Sequence, residues 1–243
     1  MKQLKGYAMP RIGFRKILSR FAMVTVALAT SLALIAGCKS VNATGSSTGT
    51  PSVPKPAIDD SLATTKGQEN LILAGGCFWG IQAVFKHVKG VTSSTSGYSG
   101  GSADTAQYET VSGGDTGHAE SVKVVYDPSQ ITYGQLLRIF FAVHNPTELN
   151  RQGPDTGTQY RSVIFYENSD QQKIADAYIK QLDAAKVFSA PIVTQVAPFK
   201  AFYTAEAYHQ DYAAKHPHDP YIMICDLPKL STLKKDFPDF YRE

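Results

Sequence analysis

The sequence predicts an α+β domain: a two-layer sandwich of a mixed β-sheet with helices packed on it. Three observations lead there. Short apolar or alternating runs and helix-period stretches follow one another in the order β-α-β-β-α-β-β. The part able to fold, roughly 175 residues, suits one domain with one core. The three cysteines show no Cys-x-x-Cys spacing, so neither a disulfide scaffold nor a zinc site organises the chain.

Leu71-Ile-Leu-Ala74 is a short apolar run, a buried strand that Gly75-Gly76 break. Phe78, Ile81, Val84, Phe85 and Val88 recur at helical spacing, which predicts a helix over 77–87. Val91 to Tyr98 alternates weakly and reads as a strand. The Gly- and Ser-rich stretch 97–117 reads as a long loop, and loops of that length are usually functional or mobile. Ser121 to Tyr126 is a strand stopped by Asp127-Pro128. Tyr133 to Val143 is a helix ended by His144-Asn-Pro146. A polar loop follows over 150–157, then a strand over 160–166. An amphipathic helix spans 170–186, a strand 192–197, a helix 205–216, and a short apolar strand or extended segment 221–225. The sequence does not order the strands in the sheet.

The formal charge of +3 is misleading. Residues 1–37 hold Lys2, Lys5, Arg11, Arg15, Lys16 and Arg20 and no acid; taking these six from the 24 basic residues leaves 18 against 21 acidic ones. No basic patch survives to argue for nucleic acid. The basic stretch leads into the apolar run Phe21 to Ala36, the layout of a signal peptide over 1–37. The run is slightly short for a transmembrane anchor. Ile35-Ala-Gly-Cys38 resembles a bacterial lipobox, in which cleavage before the cysteine accompanies lipidation of its thiol. The expectation is therefore a lipid-anchored protein of the cell envelope, with Cys38 lipidated. Lys39 behind Cys38 resembles outer-membrane sorting, which places it on the periplasmic side in a Gram-negative cell. Residues 38–68, rich in Ser, Thr, Gly and Pro, read as a flexible tether, and 69–243 as the folded domain.

Cys77 follows two glycines at a strand-to-helix junction. Unpaired backbone N–H groups and the positive end of the helix dipole favour an anion there, so the expectation is a thiol with a lowered pKa that attacks as thiolate. Retaining a thiol in an exported, oxidising compartment also argues for redox or nucleophilic work. Phe78 and Trp79 beside it form either an apolar wall or plain core anchors. Gly113 to Glu120 is not a phosphate loop, since no Gly-Lys-Ser/Thr follows. It delivers Glu120 to the start of a strand, as a solvated surface charge or as a buried acid with a raised pKa. Asp155 and Tyr160 reach a loop–strand junction in the same way, where a turn Asp and a core Tyr are the plainer alternative. Tyr108 lies in the long loop. His209, His216 and His218 lack metal-site spacing and read as solvated helix-end residues.

Seven segments in order resemble the A-type peptide methionine sulfoxide reductase family: Gly76-Cys-Phe-Trp-Gly80, Gly97-Tyr-Ser-Gly-Gly101, Asp115-Thr-Gly-His-Ala-Glu-Ser121, Val125-Tyr-Asp-Pro128, His144-Asn-Pro-Thr147, Asp155-Thr-Gly-Thr-Gln-Tyr-Arg-Ser162 and Ala205-Glu-Ala-Tyr-His-Gln-Asp-Tyr212. The resemblance covers about 70–226 and implies a ferredoxin-like core. It implies reduction of methionine S-sulfoxide, free or in proteins, with no metal or organic cofactor. It makes Cys77 the nucleophile and Glu120 the acid that protonates the sulfoxide oxygen. Tyr108 and Tyr160 offer hydroxyls to that oxygen, Asp155 organises the polar side, and Phe78 and Trp79 hold the S-methyl group. The reductant it implies is a thioredoxin-like or other thiol, and the chain would act as a monomer.

The sequence departs from multi-cysteine members, which resolve the sulfenic acid with cysteines in a Gly-rich tail. Here Cys225 is the one thiol of the tail. It either resolves Cys77 or is a buried strand residue, with an external thiol reducing Cys77 directly; its apolar neighbours favour the second. Two other function classes compete. One is a cysteine hydrolase, with His118 or His144 as base. The other is a non-enzymatic lipoprotein with a binding or structural role.

Overall fold

The structure, a computed structural model, describes residues 52–243. Its elements in chain order are β1 (Glu69–Ala74), α1 (Phe78–Lys86), β2 (Val91–Ser99), α2 (Tyr108–Val111), β3 (Ala119–Tyr126), α3 (Tyr133–Val143), β4 (Arg151–Gln152), β5 (Asp155–Thr156), β6 (Val163–Tyr166), α4 (Ser169–Ala184), β7 (Gln195–Pro198), β8 (Tyr203–Thr204), α5 (Tyr212–Lys215) and α6 (Leu227–Asp236). Six strands form one sheet in the order β7-β6-β1-β3-β2-β8, and β4 and β5 form a separate small hairpin. The pair β6·β7 is parallel; the other pairs of the large sheet are antiparallel. The mixed sheet with packed helices is the α+β class the sequence predicts. Its four central strands have the order of the split βαβ, ferredoxin-like arrangement.

Alternation along β1 decides how the layers are filled. Leu71 and Leu73 face the main core, where they meet Phe78, Ile81 and Phe85 of α1 and Leu136, Leu137 and Phe140 of α3. Ile72 and Ala74 face the other side, against Val163 and Phe165 with Phe199 and Phe202 over them. Each fully buried large apolar side chain contributes about 1.5–3 kcal/mol, so both faces of β1 are strongly held. This matters for the site, because β1 ends two glycines before Cys77. Helix α3 begins with a reciprocal capping box: Gln135 N donates to Thr132 Oγ1 (3.2 Å) and Thr132 N to Gln135 Oε1 (3.0 Å).

Four sequence expectations are corrected. The tether prediction for 38–68 fails over its second half. Val53 is buried in the core, its carbonyl accepts Arg138 Nε (2.8 Å), and Tyr178 Oη donates to Pro54 O (2.6 Å). Asp59 accepts from Gly134 N (2.8 Å) and from Thr132. One apolar side chain and a series of backbone hydrogen bonds fasten a segment that composition alone marks as unable to fold. The stretch 97–117 is no continuous loop: β2 runs on to Ser99, and α2 forms a short turn from Tyr108. The helix predicted over 205–216 is broken into Ala207–His209 and α5, with Asp211 left-handed at φ 61°. The cause is Gln210, whose side chain bonds to both backbone groups of Ser96 and to Gln82, taking a strand-like role at the edge of β2. The run 221–225 is neither a strand nor extended. It forms a wide π-type turn, Ile222–Asp226, which feeds α6. The signal peptide (1–37), Cys38 and the first part of the tether lie outside the described residues.

Candidate active site

The site forms where β1 gives way to α1. Gly76 makes the corner at φ 83°, and a Cβ there would meet the Gln152 side chain at 2.5 Å. Gln152 in turn grips the backbone of Asn145 (3.0 Å both ways), tying the β4–β5 hairpin to the end of α3. Cys77 is the N-cap of α1 and is buried, at 6% exposure.

Glu120, opposite Tyr98 in the β2·β3 register, is 4% exposed and lies under the same helix end. Phe78 N donates to its Oε2 (3.1 Å). The first free N–H of α1 is therefore used by the acid. Burial raises Glu120 from 4.5 to about 8, against the Phe78 N–H, which pulls the other way. Glu120 is thus the buried, protonated acid rather than the solvated charge. The thiol differs from its expectation. Burial first, then the charges of Glu120 and Asp226, raise Cys77 well above the ordinary thiol value, outweighing the helix end and Lys229. Two buried acids this close share protons: ionising one opposes ionising the other.

Around this pair stand the remaining predicted residues. Tyr108 opens α2, and its backbone N–H donates to Glu206 (2.9 Å). Tyr160 ends the short turn Thr158–Tyr160. Both phenols are raised by burial first and then by Glu120, so they face the same acid. Arg161 holds the arrangement together by donating to the carbonyls of Gly117 (2.8 Å), His118 (3.0 Å) and Thr158 (2.8 Å). That one guanidinium clamps the loop before Glu120 to the turn that carries Tyr160. Asp155 on β5 accepts from Tyr221 Oη. Phe78 is fully buried and Trp79 partly so; their rings lie 6.4 Å apart.

Sequence reasoning missed four participants. His209 is 1% exposed, not solvated, and its Nδ1 accepts from Trp79 Nε1 (3.1 Å). Burial holds it below the ordinary histidine range, so the ring is neutral and carries its proton on Nε2. Tyr212 stacks on Trp79 at 3.8 Å and 11°, and Tyr221 meets it edge-on at 6.0 Å. The fourth is Asp226, buried, with Lys229 as its partner. His216 and His218 are exposed, as expected. Cys225 is partly exposed on the π-type turn rather than buried in a strand, and both it and Cys77 are free thiols.

The hydrolase reading needs a histidine free to take the Cys77 proton. His144 places Nδ1 on Phe140 O (2.7 Å) and Nε2 on Ser162 Oγ (2.9 Å), and burial lowers it to about 4. His118 accepts from Gly101 N (3.2 Å) and places Nε2 on Ser102 O (2.9 Å). Both rings are fully engaged elsewhere, and neither can serve as base to the thiol.

A thiol set beside a protonated acid, in an aromatic-walled recess without a histidine base, defines a cysteine-dependent oxidoreductase rather than a cysteine hydrolase. The comparisons with known proteins narrow this. Residues 69–240 match the family described as peptide methionine sulfoxide reductase. The chain is 60% identical over 178 residues to peptide methionine sulfoxide reductase MsrA 2 of Mesorhizobium japonicum, covering 73% of this chain and 91% of that one. It is 50% identical over 190 residues to the protein of the same name from Synechocystis, covering 77% and 89%. Among solved structures it is similar to reduced Mxr1 of Saccharomyces cerevisiae (TM-score 0.58, 34% identity, 65% of this chain and 94% of that one). It is also similar to methionine sulfoxide reductase A of Corynebacterium diphtheriae (TM-score 0.55, 34% identity, 69% and 85%). The chain belongs to the peptide methionine sulfoxide reductase family.

Proposed function

We propose that the chain reduces methionine S-sulfoxide, free or within polypeptides, to methionine, with Cys77 as nucleophile and Glu120 as proton donor. The observation that carries this is the meeting of a buried thiol and a buried, protonated carboxyl at one helix end. A sulfoxide oxygen leaves poorly until it is protonated, so the reaction needs a nucleophile and a proton in the same recess. Cys77 sulfur attacks the sulfoxide sulfur while Glu120 delivers a proton to its oxygen. The protonated oxygen passes to the Cys77 sulfur as the substrate S–O bond and the new S–S bond break, so methionine departs as the thioether with the two electrons that Cys77 gives up, and Cys77 is left as sulfenic acid. Tyr108 and Tyr160 offer hydroxyls to the oxygen. Asp155 acts through Tyr221, which it holds against Trp79. Phe78 and Trp79 receive the S-methyl group, with His209 and Tyr212 fixing the indole.

Regeneration is by an external thiol of the thioredoxin class, acting directly on the sulfenic acid. What supports this assignment is that Cys77 and Cys225 are both free thiols, Cys225 standing partly exposed on the turn Ile222–Asp226.

The test is turnover of methionine S- and R-sulfoxides with dithiothreitol. Reduction of the S form alone is expected. Peptide mapping after one turnover without reductant should show Cys77 oxidised and unlinked; a Cys77–Cys225 peptide would reassign the resolving step, and turnover of neither epimer would sink the reading.

We further propose a lipid-anchored location in the cell envelope, supported by the basic and apolar leader and by Ile35-Ala-Gly-Cys38. Labelled fatty acid should enter the wild-type chain and not Cys38→Ser. Equal labelling of the two would place the anchor elsewhere.

A further inference from the structure

A buried ion pair on the C-terminal segment lies against the helix that starts at Cys77. Lys229 Nζ bonds Asp226 Oδ1 at 2.8 Å, with the two side chains 11% and 1% exposed. The second carboxylate oxygen, Asp226 Oδ2, is buried and has no hydrogen-bond partner. The pair docks on the backbone of Gly80: a Cβ there would lie 2.2 Å from Asp226 Oδ1 and 2.8 Å from Lys229 Nζ. The closing glycine of Gly76-Cys-Phe-Trp-Gly80 is therefore the residue that lets two charges approach α1. Gly80 is three residues beyond Cys77, and residues at that spacing adjoin on a helix surface. The pair thus stands about one turn from the thiol, in a setting where burial weakens screening.

Such a pair is not silent at a nearby atom, because its two charges lie at different distances from it. The groups that face the thiol are Glu120 from β3, Tyr108 from α2, Tyr160 from its short turn, Tyr221, Asp226 and Lys229. Asp155 stands behind Tyr221. In this set Lys229 is the cation, and Glu120 is committed to holding a proton. We propose that the Asp226–Lys229 pair sets the charge of the Cys77 sulfur, Lys229 supplying the counter-ion for its thiolate and Asp226 restraining that effect. Both are positioning residues: neither touches the reacting atoms. The inference rests on the reductase reading for its use in catalysis, but its test needs no sulfoxide.

The experiment is the pH profile of Cys77 alkylation by iodoacetamide in the full chain, read on the Cys77 peptide by mass. Wild type is compared with Lys229→Met, Lys229→Arg and Asp226→Asn, with melting recorded for each. A single charge a few ångströms from a thiol moves its titration by a unit or more, about tenfold in thiolate. Lys229→Met should alkylate about tenfold more slowly at a mildly alkaline pH, with its midpoint moved up. Lys229→Arg should stay near wild type. Asp226→Asn should move the other way, alkylating faster with a lower midpoint. A tie that merely fastened the C-terminal segment would change both single variants in the same direction, or neither, and either result overturns the proposal. If Lys229→Met does not fold, Lys229→Gln takes its place, since loosening the structure would expose the buried thiol and lower its midpoint, the opposite of the rise expected on losing the cation. Absence of sulfoxide turnover by the wild type with these shifts intact would count against the reductase reading and not against the pair.

Discussion

Cys77→Ser is expected to lower sulfoxide reduction by at least about 10⁴-fold, close to 5.5 kcal/mol in transition-state stabilisation. The hydroxyl would stand where the thiol stands, as the N-cap of α1, so substrate access and orientation are kept. What goes is the chemistry. A serine oxygen does not ionise in this recess, where even the thiol is pushed up by burial. Attack by oxygen on sulfur would also leave no sulfenic acid for an external thiol to reduce. The fold should be untouched, because serine is a preferred N-cap residue and the change in volume is small. The measurement is kcat/KM for methionine S-sulfoxide beside the melting temperature. Activity at background with melting unchanged is the expected pair. Turnover within tenfold of wild type would place the nucleophile elsewhere, and Cys225 would then be the described thiol to examine.

The sequence made local features legible and left long-range partnerships hidden. Helix α3 lies where the apolar spacing from Tyr133 to Val143 places it, because its capping box and terminating Pro146 are local signals. The same holds for α4 and for β1. The ordered motifs named the cysteine, the acid and the aromatic wall, and these do meet in space. The bond from Trp79 to His209 spans 130 positions, and that from Tyr221 to Asp155 spans 66. No periodicity can announce such pairs. Gln210 likewise looks like a helix residue, and only the sheet edge at Ser96 turns its side chain into a strand substitute. The thiol is the most instructive departure. Its position at a helix end is a correct reading of the local sequence, yet burial and two neighbouring carboxyls, brought by β3 and by the segment before α6, reverse the direction of its pKa. Val53 makes the same point for stability: composition counts apolar residues but not where one of them lands.

Glu120→Gln should lower kcat by about 10²- to 10⁴-fold, the range for losing a positioned proton donor. The amide keeps the geometry, since its oxygen can still accept from Phe78 N and its nitrogen can still point a hydrogen at the substrate oxygen. It cannot release a proton. The sign with pH follows from the raised value of about 8. Below it Glu120 holds its proton and can donate; above it the proton is gone, so the wild-type rate should fall on the alkaline side through about pH 8. The variant should lack that limb. Stability runs in the opposite direction. The unfolded carboxyl releases its proton near 4.5 while the folded one keeps it to about 8, so the folded wild type loses stability as pH rises through that window. Glutamine does not titrate and escapes this loss, so Glu120→Gln should melt at or above wild type at alkaline pH. Above about pH 8, where the wild-type carboxyl is ionised, the variant also lacks a negative charge beside Cys77, and alkylation of the thiol should be faster there. A chain that is as stable, more reactive toward iodoacetamide and almost inactive on sulfoxide would isolate proton delivery as what Glu120 contributes. A variant with lower melting would instead make Glu120 a structural anchor for α1, and the proton donor would have to be sought at Tyr108 or Tyr160.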